Sequence, residues 1–570
     1  MDNQKISQFL IEIADLLDIK GDNPFRIRSY RNGARTVRDL TENLVSIVRG
    51  KDEDLTQIPG IGASLAGKIR EIVETGNLKF LDDLKKQLPP GLPEILKIEG
   101  IGPKKAKLFY EEAGVDSVES LDEAAESGKL HDLFRIGDKT EKKILRAIKN
   151  YQKGVGRFRI DRGFTYAQSI TDYLDSVPNL TELLPAGSLR RRRETIGDID
   201  ILAVSGKPTT LMDRFVDYDR AAEILAQGTT KSSIRLQDGL QVDLRVMKPR
   251  EFGSALLYFT GSKAHNIALR KRAREMGMKL SEYGVFREDK AIAGQTEDEC
   301  YRALELPWIP PELRENRGEI EAAAEGKLPR LIELNDIRGD CHMHTTASDG
   351  KNSIEEMART AKDIGYSYIA ITEHSKAVRI AGGLNEKELA EHLLRIEEAN
   401  SKIKGIRILK GIEVDIMGDG TLDLKDEILK KCDVVIASIH SRFNLPEKEM
   451  TKRIIRGIKN RQVNILGHPT GRLLLEREPY RVDMEEVIKV AAGEGVVLEI
   501  NSHPRRLDLN DIHTRMAKDR GARLIINTDA HSIKHLELMK YGIFTARRGW
   551  LEKEDVINTY PLKKLLAFFK

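Results

Sequence analysis

The chain has 570 residues, 40% of them hydrophobic and 32% charged, which excludes an intrinsically disordered polypeptide and, at this length, a single hydrophobic core. Lysine and arginine number 94 against 90 aspartate and glutamate, a formal charge of +4, so net charge does not identify a partner and separate basic and acidic surfaces stay open. Three cysteines without short spacing exclude a disulfide framework or a thiolate zinc clip, and no apolar run nears the ~18 residues of a membrane span, so a cytoplasmic protein without a membrane partner is expected.

Residues 1–152 show helical apolar spacing broken by short glycine turns. IPGIGASLAGKI (58–69) and IEGIGPKKAKLF (98–109) read as two copies of one unit, with a degenerate third at LFRIGDKTEKKI (133–144). Gly60, Gly62, Gly100 and Gly102 permit a tight turn and close backbone approach, leaving free amides at the next helix start for a phosphate. A single GIG is commonly only a helix–helix turn. Two copies forty residues apart look like a helix-hairpin-helix pair, which binds the DNA backbone without reading sequence.

From about residue 157 to 248, β-branched runs alternate with helical stretches, a mixed α/β unit. In AGSLRRRRETIGDIDILAV, Asp198 and Asp200 stand two apart on a strand-like segment and project from one face. Asp243 in QVDLRV adds a third carboxylate on the polar side of an alternating strand. Two-metal phosphoryl transfer needs such a cluster. An isolated Asp-x-Asp also reads as a solvated strand end, but Gly187-Ser188 lies eleven residues upstream of Asp198, followed by arginines 190–193, whose planar forks suit phosphate oxygens. Some of those arginines belong to a solvated basic face.

A small α/β unit with YFTGS follows, and PWIPPELRENRGEIEAAAEGKLP reads as an interdomain linker. From about residue 333, strand-like YIAIT, VVIASIH, VNILGH, GVVLEI and RLIINT alternate with helices, each with a polar residue at or beyond its C-terminal end. A βα-repeat barrel places its chemistry there. Ten of twelve histidines lie at or after His342. His342-x-His344, His374, Glu413, His440, His468 and Asp529-x-His531 end or follow hydrophobic runs, whereas His392, His513 and His535 read as solvated helical residues. Imidazole and carboxylate donors without thiolates suit Mn²⁺, Zn²⁺ or Fe. Asn501 and Arg506 in EINSHPRRLDL read equally as a phosphate-holding rim or a structural loop.

GSLRR, DID, VDLRV, YFTGS and SEYGV occur in the order and spacing of family X DNA polymerases, and the chain resembles that family over residues 1–315. The resemblance implies Asp198, Asp200 and Asp243 as ligands of Mg²⁺ or Mn²⁺, and Ser188 and Arg191 as triphosphate contacts. It further implies Tyr258 and Phe259 lining the nucleotide pocket, Gly261 near the sugar, and Asn266 and Arg270 at the minor-groove side. Lys263 stands where the vertebrate repair enzyme has an acidic residue. Lys68 falls at the family's Schiff-base lysine, although a lysine there is also commonly solvated or phosphate-binding, and a monovalent cation is implied at the hairpins. Residues 336–570 resemble the polymerase-and-histidinol-phosphatase (PHP) family, implying nine ligands for up to three ions: His342, His344, Asp349, His374, Glu413, His440, His468, Asp529 and His531.

The expected architecture is multidomain. A helical 8-kDa-like DNA-binding domain with the first hairpin spans 1–85 and a fingers-like domain with the second spans 86–155. An α/β nucleotidyltransferase palm spans 156–248, a thumb-like domain 249–315, a linker 316–335 and a distorted βα barrel of the PHP type 336–570. The fusion resembles prokaryotic members of the family. The expected function is gap filling in base-excision repair on gapped or nicked duplex DNA with deoxynucleoside triphosphates, by a monomer that also carries a metal-dependent 3′–5′ exonuclease or other 3′-end phosphoesterase, with abasic-site cleavage a further expectation. Alternatives are a polymerase with a merely structural PHP domain, a template-independent nucleotidyltransferase acting on RNA ends, and a small-molecule phosphatase.

Overall fold

The computed structural model describes residues 3–40, 44–49, 54–89, 91–96, 98, 100–131, 133, 136–152 and 156–569. It divides into two compact units, Met1–Gly156 and Arg157–Lys570. No helix among the described residues is long and apolar enough to cross a membrane.

The described residues of the first unit form helices and the turns between them. Helices α1 (Asn3–Lys20) and α2 (Pro24–Asp39) pack as an antiparallel pair, and Asn23 caps α2 by accepting from the Phe25 amide at 2.8 Å. Helix α3 (Ala63–Thr75) closes this core through Leu65, Ala66, Ile69 and Ile72. A second core gathers Ile95, Ile98 and Ile101 around Phe109 of α4 (Pro103–Ala113). The third hairpin copy includes Phe134 and Arg135, which lie outside the described residues.

In the second unit the palm is a five-stranded sheet of β1 (Leu180–Pro185), β2 (Asp198–Ser205), β3 (Ala221–Ala226), β4 (Lys231–Leu236) and β5 (Gln241–Val246), in the order β1-β2-β5-β4-β3. Only β2 and β5 run parallel. Ile199, Ile201, Val242 and Leu244 are fully buried, which fixes strand register because a one-residue slip would turn them outward. Helices α5 (Phe252–Thr260) and α6 (Lys263–Glu275) lead to a three-stranded antiparallel sheet.

The expected linker 316–335 is folded: a short helix, Glu319–Ala324, buries Glu319 and Ile320. Glu319 accepts from buried His265 at 2.6 Å, and the other ring nitrogen of His265 meets the Tyr301 hydroxyl at 2.9 Å.

The rest is a seven-stranded all-parallel sheet in sequence order, β6 (Gly339–Asp340), β7 (Tyr368–Ile371), β8 (Arg407–Asp415), β9 (Val434–Ser438), β10 (Ile465–Leu466), β11 (Val497–Asn501) and β12 (Leu524–Asn527). The strands are near-continuous hydrophobic runs, as sheets covered on both faces require. Beyond their ends, Met343 bridges Ala530 in parallel and the His344 amide donates to the Ala530 carbonyl at 2.8 Å. First strand thus meets last, and the sheet curls into a distorted barrel.

Palm, thumb and barrel share buried surface. Leu474, Leu507 and Tyr541 of the barrel segment enter the palm core, and Trp550 enters the thumb core. Helix α7 (Met539–Arg548) carries much of this contact.

Candidate functional site

In the palm, the parallel pairing of β2 and β5 sets Asp200 opposite Asp243 and Asp198 opposite Gln241. The three carboxylates therefore collect at one end of two neighbouring strands. Burial first, then the charges of Asp198 and Asp243, push the Asp200 carboxyl up to about 7. Such crowding is relieved by a cation. Gln241 donates to Asp243 at 2.8 Å and Lys231 lies 3.1 Å from its other oxygen. Gly187 has φ +61°, and a Cβ there would stand 2.6 Å from the Asp200 carboxylate. Its neighbour Ser188 is half-buried.

The four arginines divide. Arg190 forks onto Glu297 at 2.7 and 2.8 Å, and Arg192 lies between the rings of Phe164 and Phe544. Arg191, expected at the triphosphate, donates to Glu315 at 3.1 Å and to the carbonyl of Thr260. That carbonyl starts the turn through Gly261, which has φ +64°. Tyr258 and Phe259 meet edge to face at 5.1 Å. Asn266 donates to the Tyr258 carbonyl at 2.7 Å, and Arg270 lies over the Tyr258 ring. Lys263 is exposed at the start of α6.

Both hairpins of the first unit have the same local geometry. Gly60 and Gly100 take φ +90° and +78°, a left-handed conformation that glycine enters without steric cost. Gly62 and Gly102 are the residues before α3 and α4, and neither has another atom within 4 Å of where a Cβ would sit. The helix starts are therefore open to a bulky anion. Lys68 is half-buried, its ammonium 5.2 Å from the Phe80 ring centre and 5.9 Å from that of Tyr30, and Arg26 lies over the same Phe80 ring.

At the C-terminal ends of the barrel strands, all nine expected ligands converge on one centre. Glu413 lies 2.8 Å from His374, 3.0 Å from His468, 3.4 Å from His440 and 3.5 Å from His342. Asp529 lies 3.2 Å from His344, and Asp349 lies 3.4 Å from His531 and 3.7 Å from His374. Three groupings are compact enough for an ion: His344, Asp349, His374 and His531; His342, His344 and Asp529; His374, Glu413 and His440.

The buried atoms test whether metals fit. His342 Nε2, both ring nitrogens of His344, His374 Nδ1, His468 Nδ1 and both Glu413 oxygens are buried without a hydrogen bond. So many unsatisfied donors and acceptors in one place would be costly. They crowd together without hydrogen bonds, His374 Nδ1 standing 2.8 Å from Glu413, and divalent cations match such a set of imidazole and carboxylate donors. Burial, then the neighbouring His374, drives His344 down to about 3, leaving it the neutral imidazole that a metal needs.

Outer carboxylates aim these ligands, and sequence reasoning missed them. Glu499 accepts from His342 Nδ1 at 2.7 Å and is itself held by Asn527 at 3.0 Å. Asp415 pairs with His440 Nδ1 at 3.2 Å. Asp340 accepts from the His342 and Thr528 amides, and Glu373 from the Thr345 amide. The available signal was an acidic residue inside an otherwise apolar strand, as in GVVLEI.

Asn501 is fully buried and not at a rim: its amide donates to Asp529 at 3.0 Å and to Glu499 at 3.3 Å. Arg506 lies 3.5 Å from Asp529. For one of the three histidines expected in solvent, burial overturns that expectation outright. His392 is buried, His513 is half-buried, and His535 is half-buried with its Nδ1 accepting from the His531 amide.

Comparison with known proteins agrees with this arrangement. Family profiles match residues 1–78 (helix-hairpin-helix domain), 92–150 (SAM-like helix-hairpin-helix tandem), 255–315 (DNA polymerase beta thumb) and 340–503 (PHP domain). The chain is 25% identical to rat DNA polymerase lambda, covering 55% of this chain and 56% of that one. Over 39% of its length it is 33% identical to a protein of Thermoanaerobacter pseudethanolicus named as a probable phosphatase, 89% of which is covered. It is 39% identical to the DNA polymerase/3′-5′ exonuclease PolX of Bacillus subtilis (strain 168) over 100% of both chains. With a carboxylate-bearing palm and a PHP barrel in one body, the chain belongs to this PolX family: it is a family X DNA polymerase with a C-terminal PHP domain.

Proposed function

We propose that the chain fills short gaps in duplex DNA at its palm and trims 3′ ends at its barrel. The observation that carries this reading is that both constellations, the carboxylates of Asp198, Asp200 and Asp243 and the nine-ligand cluster, are complete within one compact unit. Divalent ions, Mg²⁺ or Mn²⁺ at the palm and up to three of Mn²⁺, Zn²⁺ or Fe at the barrel, supply when bound the positive charge that phosphoryl transfer and phosphodiester hydrolysis require.

The chain's own residues do the rest. Gly187 leaves the room beside Asp200 that a side chain would take, and Ser188 stands next to it for the triphosphate. We read Arg191 as a positioning residue, since it holds the Thr260 carbonyl and so the turn through Gly261, where the deoxyribose is received. Tyr258 and Phe259 line the nucleotide pocket, and Asn266 and Arg270 approach the base pair. Gly60, Gly62, Gly100 and Gly102 grip DNA phosphates without reading sequence, with a monovalent cation at each hairpin. Lys68, over its aromatic floor with Arg26 nearby, is placed for lyase chemistry.

In the barrel, Glu499 and Asp415 fix the faces of His342 and His440, as such outer partners do. Hydrolysis adds water to phosphorus and breaks the bond to the 3′ oxygen, which takes the proton as the terminal nucleotide leaves. The enzyme works as a monomer in the cytoplasm, where its three free cysteines stay reduced. Abasic-site cleavage by the same barrel is a further proposed activity.

The test is nucleotide incorporation and 3′ to 5′ degradation on a gapped duplex with Mn²⁺, with stepwise release of mononucleotides expected. Degradation of a free phosphomonoester but no DNA would favour the small-molecule phosphatase.

A further inference from the structure

Beside the barrel's metal cluster lies a cleft of 520 Å³ between the loop that carries Thr346 and Ala347, the turn through Arg379 to Leu384, and the helix Glu386–Lys402. Its walls continue the segments that carry ligands of the cluster. Ala347 lies between His344 and Asp349 in the chain, and the Leu384 amide donates to the His374 carbonyl at 2.8 Å. The wall is tightly built, since a Cβ on Gly383 would stand 2.0 Å from the Ser375 carbonyl.

Two features of the cleft bear on what it could hold. His392, 2% exposed, lines it with neither ring nitrogen hydrogen-bonded. Its Nε2 lies 3.6 Å from Glu373, which in turn holds Thr345 of the His344 loop. Arg379 and Arg395 line it, exposed and in no ion pair among the described residues. Glu391 also lines the cleft, so the lining is mixed in charge and does not suit a bare phosphate.

We propose that this cleft seats the 3′-terminal nucleoside of a single DNA strand, base unstacked, while the phosphate that joins it to the strand lies at the cluster. A nucleobase edge offers both acceptors and donors, which arginine and glutamate answer in turn, and its face suits the guanidinium plane of an unpaired arginine such as Arg379 or Arg395. The volume holds about one nucleotide and not a continuing strand. The cleft would thereby favour strand ends over internal sites without excluding the latter. This rests on the reading of the barrel as a 3′-end phosphoesterase.

The experiment uses the full chain with Mn²⁺ and two single strands, one ending in an ordinary nucleotide and one in a baseless tetrahydrofuran unit, with bis(p-nitrophenyl) phosphate as a small diester. The wild-type chain should release the base-bearing unit with a kcat/KM roughly tenfold above the baseless one, and Arg379→Ala/Arg395→Ala should bring that ratio to about one. A ratio near unity in the wild type, or one that the double variant preserves, overturns the subsite while the catalytic reading survives. Wild-type protein that cleaves neither strand nor the small diester overturns both. A binding readout is independent of turnover: with Ca²⁺ in place of Mn²⁺, a 3′-terminal 2-aminopurine should brighten on binding the wild type and not the double variant. Equal brightening with both contradicts the proposal.

Discussion

Arg548, the last residue of α7, lies 3.0 Å from Glu315 at the end of the thumb; its own side chain is buried and that of Glu315 is 12% exposed. The same guanidinium reaches Asp511 at 2.6 Å and the Arg191 carbonyl at 2.8 Å, while Arg191 itself donates to Glu315. One buried network therefore joins the arginine run of the palm to the barrel. Removing one member leaves its partners charged and unpaired, so Arg548→Ala should destabilise the second unit by about 3–5 kcal/mol. Denaturant unfolding measures this; a loss below about 1 kcal/mol would mean that water replaces the pair.

Acid should weaken the same region. Burial alone would raise the Glu297 carboxyl, but Arg314 and Arg190 outweigh it and hold the group well below the usual carboxylate range. A depressed folded pKa stabilises fully above the unfolded value of about 4.3 and is lost as pH falls through and below it. Stability followed from pH 6 to about 3 should decline less steeply in Glu297→Gln than in the wild type, although the variant is less stable at pH 6. Parallel curves would contradict this.

Glu499→Gln removes the charge behind His342 without removing a metal ligand. Phosphoesterase activity or metal affinity should fall roughly 10–100-fold, with nucleotide incorporation unchanged. Isothermal titration with Mn²⁺ alongside the two activity assays separates this from a folding defect, which would lower all three.

Gly60→Ala and Gly100→Ala force a Cβ into a left-handed conformation at the hairpin turns. Each should weaken binding to gapped duplex in fluorescence anisotropy and cost about 1 kcal/mol or more of first-unit stability. Hydrolysis of a small diester, which needs no hairpin, should stay the same.

Eight of the nine proposed barrel ligands were legible in the sequence because each ends or follows a hydrophobic run, and a parallel barrel brings such positions to one face; Asp349, in TTASDG, was implied only by the family resemblance. Asp198, Asp200 and Asp243 were legible for a related reason, strand alternation. Asp415 and Asp340 were not, because an acid two residues from a ligand has no periodicity of its own, and Glu499 was not, because the His342 that it aims is 157 residues away. His392 looked solvated because it follows Glu391 on a charged helix, but its partner Glu373 is distant in sequence. The same holds for Arg191, whose partner Glu315 is 124 residues away, and for the segment 316–335, which resembles a linker in composition but is anchored by Glu319 on His265.

The central claim is that one chain carries two separable active sites, and a gapped duplex with Mn²⁺ tests it with two variants. Asp200→Asn should abolish incorporation, by roughly a thousandfold, and leave 3′ to 5′ degradation intact; His344→Ala should do the reverse. If either variant lost both activities while still folded, or neither lost one, the division of labour between palm and barrel would be wrong.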